Sequence, residues 1–288
     1  MTRYILMVFA GACSYGILST FVKLSYREGY TAAQISVSQA LAGMLFLWLL
    51  VCLNKQWNFR QYTLKTLLWL LPTGAAIGFS SFVYYLSVVY LPASVAIIIL
   101  MQFTWIGLLL EWLIYKQAPG RSQLMITVLI ILGSGMGSGG ISAGAHLPLK
   151  GLALAALSAL LYAIYLLANA RVGKTIPALP KSAVMMTGSF LGLLLANLPE
   201  LSHAAHLDLG LLKWALFLAT FGTIIPPILF SKGVPKIGVG VSAVLMTAEL
   251  PVAVICSHWL LNEKVTVVQW LGVAVMLFAM FLLNVKKK

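Results

Sequence analysis

Long apolar runs separated by short polar breaks dominate the chain. Each run is close to the roughly 20 residues that an α-helix needs to cross a hydrocarbon core of about 30 Å. The breaks contain turn formers and charges, as in NKQWNFRQYTLK and RVGKTIPALPK. Barrel strands would instead alternate over about ten residues, and no such alternation is seen. The pattern predicts ten helices, at 3–25, 32–53, 66–90, 93–114, 122–142, 150–170, 182–198, 210–231, 238–260 and 265–285.

The composition agrees with an all-α polytopic membrane protein. Of the 288 residues, 61% are hydrophobic and 9% are charged, whereas a soluble domain carries roughly 25% charged residues. The mean hydropathy is +0.98. These values exclude the water-soluble class. The three cysteines, Cys13, Cys52 and Cys256, all fall inside apolar runs and are expected to act as packing residues, without disulfides.

The positive charges lie mainly on one side of the predicted membrane. With the N-terminus placed in the cytoplasm, 14 of the 19 lysines and arginines fall in cytoplasmic segments and 5 fall on the other side. This bias predicts that both termini are cytoplasmic. The net charge of +13 is therefore explained by topology, and no nucleic-acid partner is expected. We expect a multi-pass protein of the cell inner or plasma membrane.

The chain contains a weak internal repeat. Residues 86–117 resemble residues 232–263 at an offset of 146, and Tyr15 aligns with Tyr162 in a second match. The matches predict two halves of five helices each, at 1–145 and 146–288. Because five is odd, the second half must be inverted relative to the first. Inverted repeats are typical of secondary transporters, with a binding site near the midplane where the halves meet. A complete pair of halves also favours a functional monomer.

Two segments resemble the EamA type of the drug/metabolite transporter (DMT) superfamily. They are CSYGILSTFVKLS in helix 1 and GVGVSAVLMTAELPVAVICSHWLLNEKVTVVQWLGVAVML, which covers helix 9 and most of helix 10. The resemblance extends over essentially the whole chain and implies ten helices in two halves and a transport function. The family is reported to move amino acids, nucleosides, sugars and drugs, so the resemblance leaves the substrate open. Helix 1 departs from the usual pattern, with Ser14-Tyr15-Gly16 where Trp-Gly is common.

Glu249 lies near the middle of the ninth predicted span. A carboxylate there costs free energy unless it is paired or hydrated, and such residues usually face a cavity. One interpretation is a protonatable group that couples proton movement to substrate or contacts a substrate amine. The other is a structural cap for backbone groups freed by Pro251, or a protonated group bonded to a neighbouring helix. The sequence leaves both interpretations open.

Other polar side chains inside the spans predict an aromatic, mostly neutral substrate cavity. Tyrosines deep in a span need hydrogen-bond partners, which a wet cavity can supply. Gln102 and Trp105 are one turn apart and are expected to face the same way. Lys23 is predicted as a vestibule charge, with pairing to a carboxylate or extension to the headgroups as alternatives. The predicted cavity residues are Tyr15, Ser80, Tyr84, Gln102, Trp105, Tyr162, Tyr165 and Asn169.

These features favour a secondary-active exporter of small organic metabolites such as amino acids, working by alternating access. A passive facilitator or exchanger without proton coupling is the alternative. An intramembrane enzyme fits less well, because Glu111 and Glu249 are the acids that the helices offer, and a non-transporting receptor is a further alternative. The expected partners are a small-molecule substrate, the lipid bilayer and protons. No cofactor is expected, and no metal, because His203 and His206 are assigned to a solvated loop.

Overall fold

The computed structural model describes residues 2–55, 62–116, 120–137, 147–173, 175–202, 208–237, 245 and 248–285. His203, His206, the predicted boundary between the halves and the first part of the predicted ninth span lie outside these residues. Every regular element within the described ranges is helical, as the sequence predicts. The helices are α1 (Thr2–Gly16), α2 (Leu18–Arg27), α3 (Ala32–Leu53), α4 (Leu64–Tyr90), α5 (Ala93–Leu100), α6 (Phe103–Tyr115), α7 (Arg121–Gly137), α8 (Leu149–Arg171), α9 (Ala178–Ser202), α10 (Leu209–Ala219), a π-helical segment (Thr220–Ile224), α11 (Ile225–Ile237), α12 (Glu249–Leu261) and α13 (Val267–Val285).

The helices have the length and surface of membrane spans. Within the described residues, six segments are long and apolar enough to cross a bilayer: Thr2–Arg27, Ala32–Leu53, Leu64–Tyr90, Ala93–Tyr115, Leu149–Asn169 and Ala178–Ser202. Four shorter apolar helices accompany them, at Thr127–Gly137, Leu209–Ile224, Glu249–Leu261 and Val267–Ala279. Large apolar side chains such as Leu195 and Trp259 are 73% and 75% exposed, which is favourable against lipid. The chain is a multi-pass membrane protein, and the count of ten spans stays a prediction.

Two predicted helices are divided in the structure. The run 3–25 breaks at Ile17, between α1 and α2, and the run 93–114 breaks at Met101 and Gln102, between α5 and α6. At the first break Gly16 packs against the start of α12, where a Cβ atom would collide with the carbonyl oxygen of Glu249. Hydropathy records how apolar a segment is and not whether its backbone hydrogen bonds are continuous. The two breaks are therefore invisible in the hydrophobic pattern.

The eighth predicted helix continues through Pro226 and Pro227. A π-helical turn, Thr220–Ile224, directly precedes the prolines, and α11 then runs to Ile237. Because Pro226 has no N–H, it cannot donate to the carbonyl of Phe221 five residues earlier. The Ser14 hydroxyl donates to this carbonyl instead, at 2.6 Å. A side chain from another helix thus satisfies the backbone group that the proline leaves free.

The central helices pack across the two predicted halves. The helix α4 packs on α8 and α9, while α10 packs on α3 and α11 on α1, and α7 pairs with α13. The crossing of α4 and α9 is very close, because a Cβ atom at Gly74 would overlap the backbone of Met185 and one at Gly188 the backbone of Leu71. Small residues allow such close approach between helices in a membrane.

Helix starts recur at a spacing of 146 residues, which is the offset of the internal repeat in the sequence. The helices α6 and α12 each contain 13 residues, and each ends at a residue in the left-handed conformation, Lys116 at φ 57° and Asn262 at φ 56°. The paired starts are Ala32 and Ala178, Phe103 and Glu249, and Arg121 and Val267.

Candidate functional site

A cavity of about 190 Å³ lies where the two predicted halves meet. Helices from both halves line it, including α1, α3 and α4 from the first and α8, α9 and α12 from the second. Six of the ten residues that the sequence analysis selects are among the lining residues. These six are Tyr15, Ser80, Tyr84, Tyr162, Tyr165 and Glu249. Their role towards a substrate stays a prediction.

Among the described residues that line the cavity, Glu249 is the only one with a charged side chain. It is the first residue of α12, and Gly16 of α1 lies against its backbone. Tyr15, Tyr84 and Tyr162 are close enough to interact electrostatically with its carboxyl group. Within the described part of the chain, the carboxyl group has no hydrogen bond or ion pair.

Aromatic rings that line the cavity also pack against one another. Tyr162 makes an edge contact with Phe103, with ring centroids 4.6 Å apart, and its centroid lies 5.9 Å from that of Tyr165. On the first-half side, Tyr84 and Tyr85 have centroids 6.1 Å apart. Such edge and tilted arrangements are the favoured geometries of aromatic pairs. These ring pairs thus form an aromatic part of the cavity wall.

The buried hydroxyl groups of the site differ in whether they have hydrogen-bond partners. Ser80 and Ser158 bond reciprocally between α4 and α8, since each hydroxyl donates to the other's carbonyl oxygen, at 2.9 and 2.8 Å. Ser19 and Tyr84 lie near one another, yet within the described residues neither hydroxyl has a partner at hydrogen-bond distance. Buried polar atoms are normally satisfied. The Ser19 and Tyr84 hydroxyl oxygens are themselves buried from a water-sized probe, so they do not face a solute in the cavity.

Gln102 and Trp105 face the same way, as their spacing predicts, but they are not among the described residues that line the cavity. The break after α5 shifts the backbone N–H of Gln102 to the carbonyl of Ile99, so the carbonyl of Ile98 loses its usual donor. The Gln102 side chain donates to this carbonyl at 3.1 Å, and the Trp105 indole donates to the Gln102 side chain at 2.8 Å. The Gln102 side chain thus replaces the missing backbone donor at the helix break, and Trp105 and Gln102 are hydrogen-bonded to each other.

Asn169 and Lys23 also lie outside the cavity lining. The Asn169 side chain donates to the Tyr165 hydroxyl across a long 3.5 Å contact, so it lies one turn beyond a lining tyrosine. Lys23 forms an ion pair with Glu263 at 3.0 Å and donates to the carbonyl of Leu91. Of the alternatives that the sequence analysis left open for Lys23, the structure shows pairing to a carboxylate. The partner is Glu263, which is distant in sequence.

Three polar contacts join the two predicted halves at one end of the molecule, and we call them the polar clamp. The clamp consists of Lys23–Glu263, of the Tyr30 hydroxyl donating to Asp208 at 2.7 Å, and of the Trp214 indole donating to Glu28 at 2.6 Å. The hydrogen bond to Asp208 raises the pKa of Tyr30 to about 12. In the predicted orientation this is the non-cytoplasmic end.

Glu263 is the most heavily bonded acid of the polar clamp. Its carboxylate accepts from Lys23, from the backbone N–H groups of Ala93 and Ser94 and from the Ser94 hydroxyl. Burial alone would raise the pKa of Glu263, but these hydrogen bonds and the Lys23 charge outweigh burial and lower it. The carboxylate also occupies the N-terminus of α5, where negative charge is favourable.

Sequence reasoning missed part of the polar lining. Two lining serines that it missed, Ser182 and Ser189, lie on one face of α9 with Met185 and Met186. The other three residues follow Ser182 at spacings of three, four and seven residues. This helical periodicity was available in the sequence and would have identified that face. The additional polar lining residues are Ser19, Ser36, Gln39, Ser81, Ser158, Ser182, Ser189 and Thr223. Among the described residues, no group of three or more His, Cys, Asp or Glu side chains could hold a metal ion.

Comparisons with known proteins agree in fold and family. The model of a family described as the EamA-like transporter family matches residues 2–137 and 149–285. A solved structure, described only as a crystal structure of a protein, superposes with a TM-score of 0.68 at 11% identity and covers 99% of this chain and 98% of its own. At that identity the likeness shows a shared fold alone. A search of curated proteins finds no match.

Proposed function

Because this chain belongs to the EamA-like transporter family, we propose that it is a secondary transporter that exports small organic metabolites, such as amino acids, by alternating access. The observation that carries the proposal is the cavity with Glu249 at the junction of the two predicted halves. In the proposed arrangement, ten spans form two inverted five-helix halves, residues 1–145 and 146–288. The protein works as a monomer in the inner or plasma membrane, with both termini in the cytoplasm.

The contacts between the halves support alternating access. Lining residues come from both halves, with Tyr15 and Tyr84 from the first and Tyr162 and Glu249 from the second. In transporters with inverted repeats, the halves move against each other around a fixed site. The polar clamp joins the halves at one end, so its three contacts must separate when that end opens.

Glu249 is the proposed site of proton coupling. In this mechanism its carboxyl group takes up a proton from one side of the membrane and releases it to the other after the halves have moved. The alternative is a facilitator or exchanger, in which solute moves down its own gradient and Glu249 contributes only to binding or structure. The family is one of transporters, and we assign no enzymatic activity.

Solute flux into proteoliposomes tests the proposal. Purified wild-type protein and Glu249→Gln are reconstituted and offered labelled amino acids and nucleosides, with and without an imposed pH gradient. Proton coupling predicts that the gradient drives wild-type flux, and that Glu249→Gln retains solute exchange but loses the response to the gradient. Equal flux by both proteins, regardless of the gradient, would establish the facilitator instead. No flux above that of empty liposomes across the panel would contradict the transport proposal.

A further inference from the structure

The cavity has an electrostatic bias that the chain as a whole does not share. The protein carries a net charge of +13, yet no lysine, arginine or histidine is among the described residues that line the cavity, and Glu249 supplies its one carboxyl group. The nearby base Lys181 donates to the carbonyl of Asn169 at 2.7 Å and is not a lining residue. A solute carboxylate would find no cationic partner among these residues, while a solute ammonium would find an acidic one.

The aromatic rings add to this bias. Tyr15, Tyr84 and Tyr162 lie near Glu249, and Phe103 and Tyr165 lie against Tyr162. The faces of aromatic rings attract ammonium groups, and the attraction is stronger where water is excluded. An ammonium held by Glu249 would therefore lie among tyrosine rings.

The cavity is large enough to hold more of the solute than its ammonium group. A cavity of about 150 Å³ holds benzene, and this one measures about 190 Å³. It therefore accommodates one ring and a short amine-bearing chain. Its apolar lining residues, among them Leu100, Met101 and Met186, suit the ring.

We infer that the cavity selects small organic amines, bound as cations with the ammonium at Glu249, over zwitterions and anions of the same shape. This inference rests on the proposed function and narrows its small organic metabolites to amines, in place of the zwitterionic amino acids named there as examples. It follows from the lining composition and from the placement of Glu249 near the tyrosines.

A charge series on one aromatic scaffold tests the inference. Phenethylamine, phenylalanine and 3-phenylpropanoate share the phenyl ring and differ in carrying an ammonium, both charges or a carboxylate. Equilibrium binding to the purified wild-type protein is measured at about pH 8. We expect phenethylamine to bind at least about tenfold more tightly than either of the others, as expected for one charge-assisted hydrogen bond. Because this comparison uses the wild type, it does not depend on a variant that folds.

Variants then assign the selectivity to one carboxyl group. Glu249→Gln is expected to remove the preference for phenethylamine, while Glu200→Gln, at an exposed position of α9, should keep it. The thermal stability of each variant is measured alongside. Equal or tighter binding of phenylalanine or 3-phenylpropanoate, or binding of none of the three, would overturn the inference. A preference for the amine that survives Glu249→Gln would do so as well.

A flux measurement separates this inference from the transport proposal. The quaternary analogue trimethyl(2-phenylethyl)ammonium has a fixed charge, so it does not cross bare lipid readily. Its uptake into proteoliposomes in preference to phenylalanine, with that preference lost in Glu249→Gln, would support both ideas. Selective binding of phenethylamine without any flux would support the amine site and count against transport. Flux of an amino acid or nucleoside without amine binding would support transport and overturn the amine site.

Discussion

Replacing Glu263 with glutamine should release the N-terminus of α5. The carboxylate accepts the N–H groups of Ala93 at 2.8 Å and Ser94 at 3.2 Å, the Ser94 hydroxyl at 2.8 Å and the Lys23 ammonium at 3.0 Å. Glutamine offers one acceptor oxygen where glutamate offers two, and its NH₂ group cannot accept from the Ser94 N–H group or from the Lys23 ammonium. Lys23 also loses its counter-charge.

The size of the effect follows from the contacts. A hydrogen bond to a charged group contributes about 1.5–3 kcal/mol net. The Glu263 side chain is 11% exposed and the Lys23 side chain 27%, so solvent screens the pair only in part. We expect the free energy of local opening at the start of α5 to fall by about 2 kcal/mol. This corresponds to an approximately 30-fold increase in the equilibrium constant for opening.

Hydrogen exchange followed by mass spectrometry measures this opening directly. Ala93 and Ser94 are the first residues of α5, and their N–H groups have no acceptor within the helix. Their exchange therefore reports on the Glu263 carboxylate, and it should be roughly 30-fold faster in Glu263→Gln. Peptides from α6 should be unchanged, and Glu200→Gln serves as the matched charge control.

The protection measured by the same assay should depend on pH in a defined way. The pKa of Glu263 is lowered from its ordinary value of 4.5, so its contribution is complete above about pH 4.5 and is lost as the pH falls through the lower pKa of the folded protein. After correction for intrinsic exchange rates, wild-type protection at Ala93 and Ser94 should be constant from about pH 8 down to about pH 5. Protection that declines within that range, or unchanged exchange in Glu263→Gln, would refute this account of the polar clamp.

Three further substitutions test the packing and the helix breaks by thermal unfolding of the purified protein. Ser14→Ala leaves a carbonyl of the π-helical segment without a donor and should cost about 1–3 kcal/mol; an unchanged melting temperature would contradict this. Gly74→Ala forces α4 and α9 apart and should cost about 1–3 kcal/mol or more, whereas Gly107→Ala, with open space around it, should not destabilise. Gln102→Leu should lower stability by about 1–3 kcal/mol, because the Ile98 carbonyl loses its side-chain donor. Solute flux should persist in this variant. Loss of flux in a stable Gln102→Leu protein would instead support a role for Gln102 in the substrate cavity.

The hydrophobic pattern predicted the helical class and most helix positions, because the length and apolarity of a span are local properties of the chain. The helix α3 covers Ala32–Leu53, as predicted from the apolar run alone. The same reasoning missed the breaks at Ile17 and at Met101–Gln102, since these depend on backbone hydrogen bonds and on a glycine that meets α12. The continuation past Pro226 depends on Ser14, a partner 207 residues from the carbonyl that it satisfies.

For the candidate site, the sequence by itself determined which polar side chains lie inside apolar segments, because such residues are conspicuous and costly in lipid. It identified Glu249 and the tyrosines for this reason. Only the tertiary structure decided which of these groups share a cavity, because the direction of a side chain depends on how its helix is rotated and what packs against it. Thus Ser158 lies at the cavity beside Ser80, while Lys23 pairs with Glu263, 240 residues away.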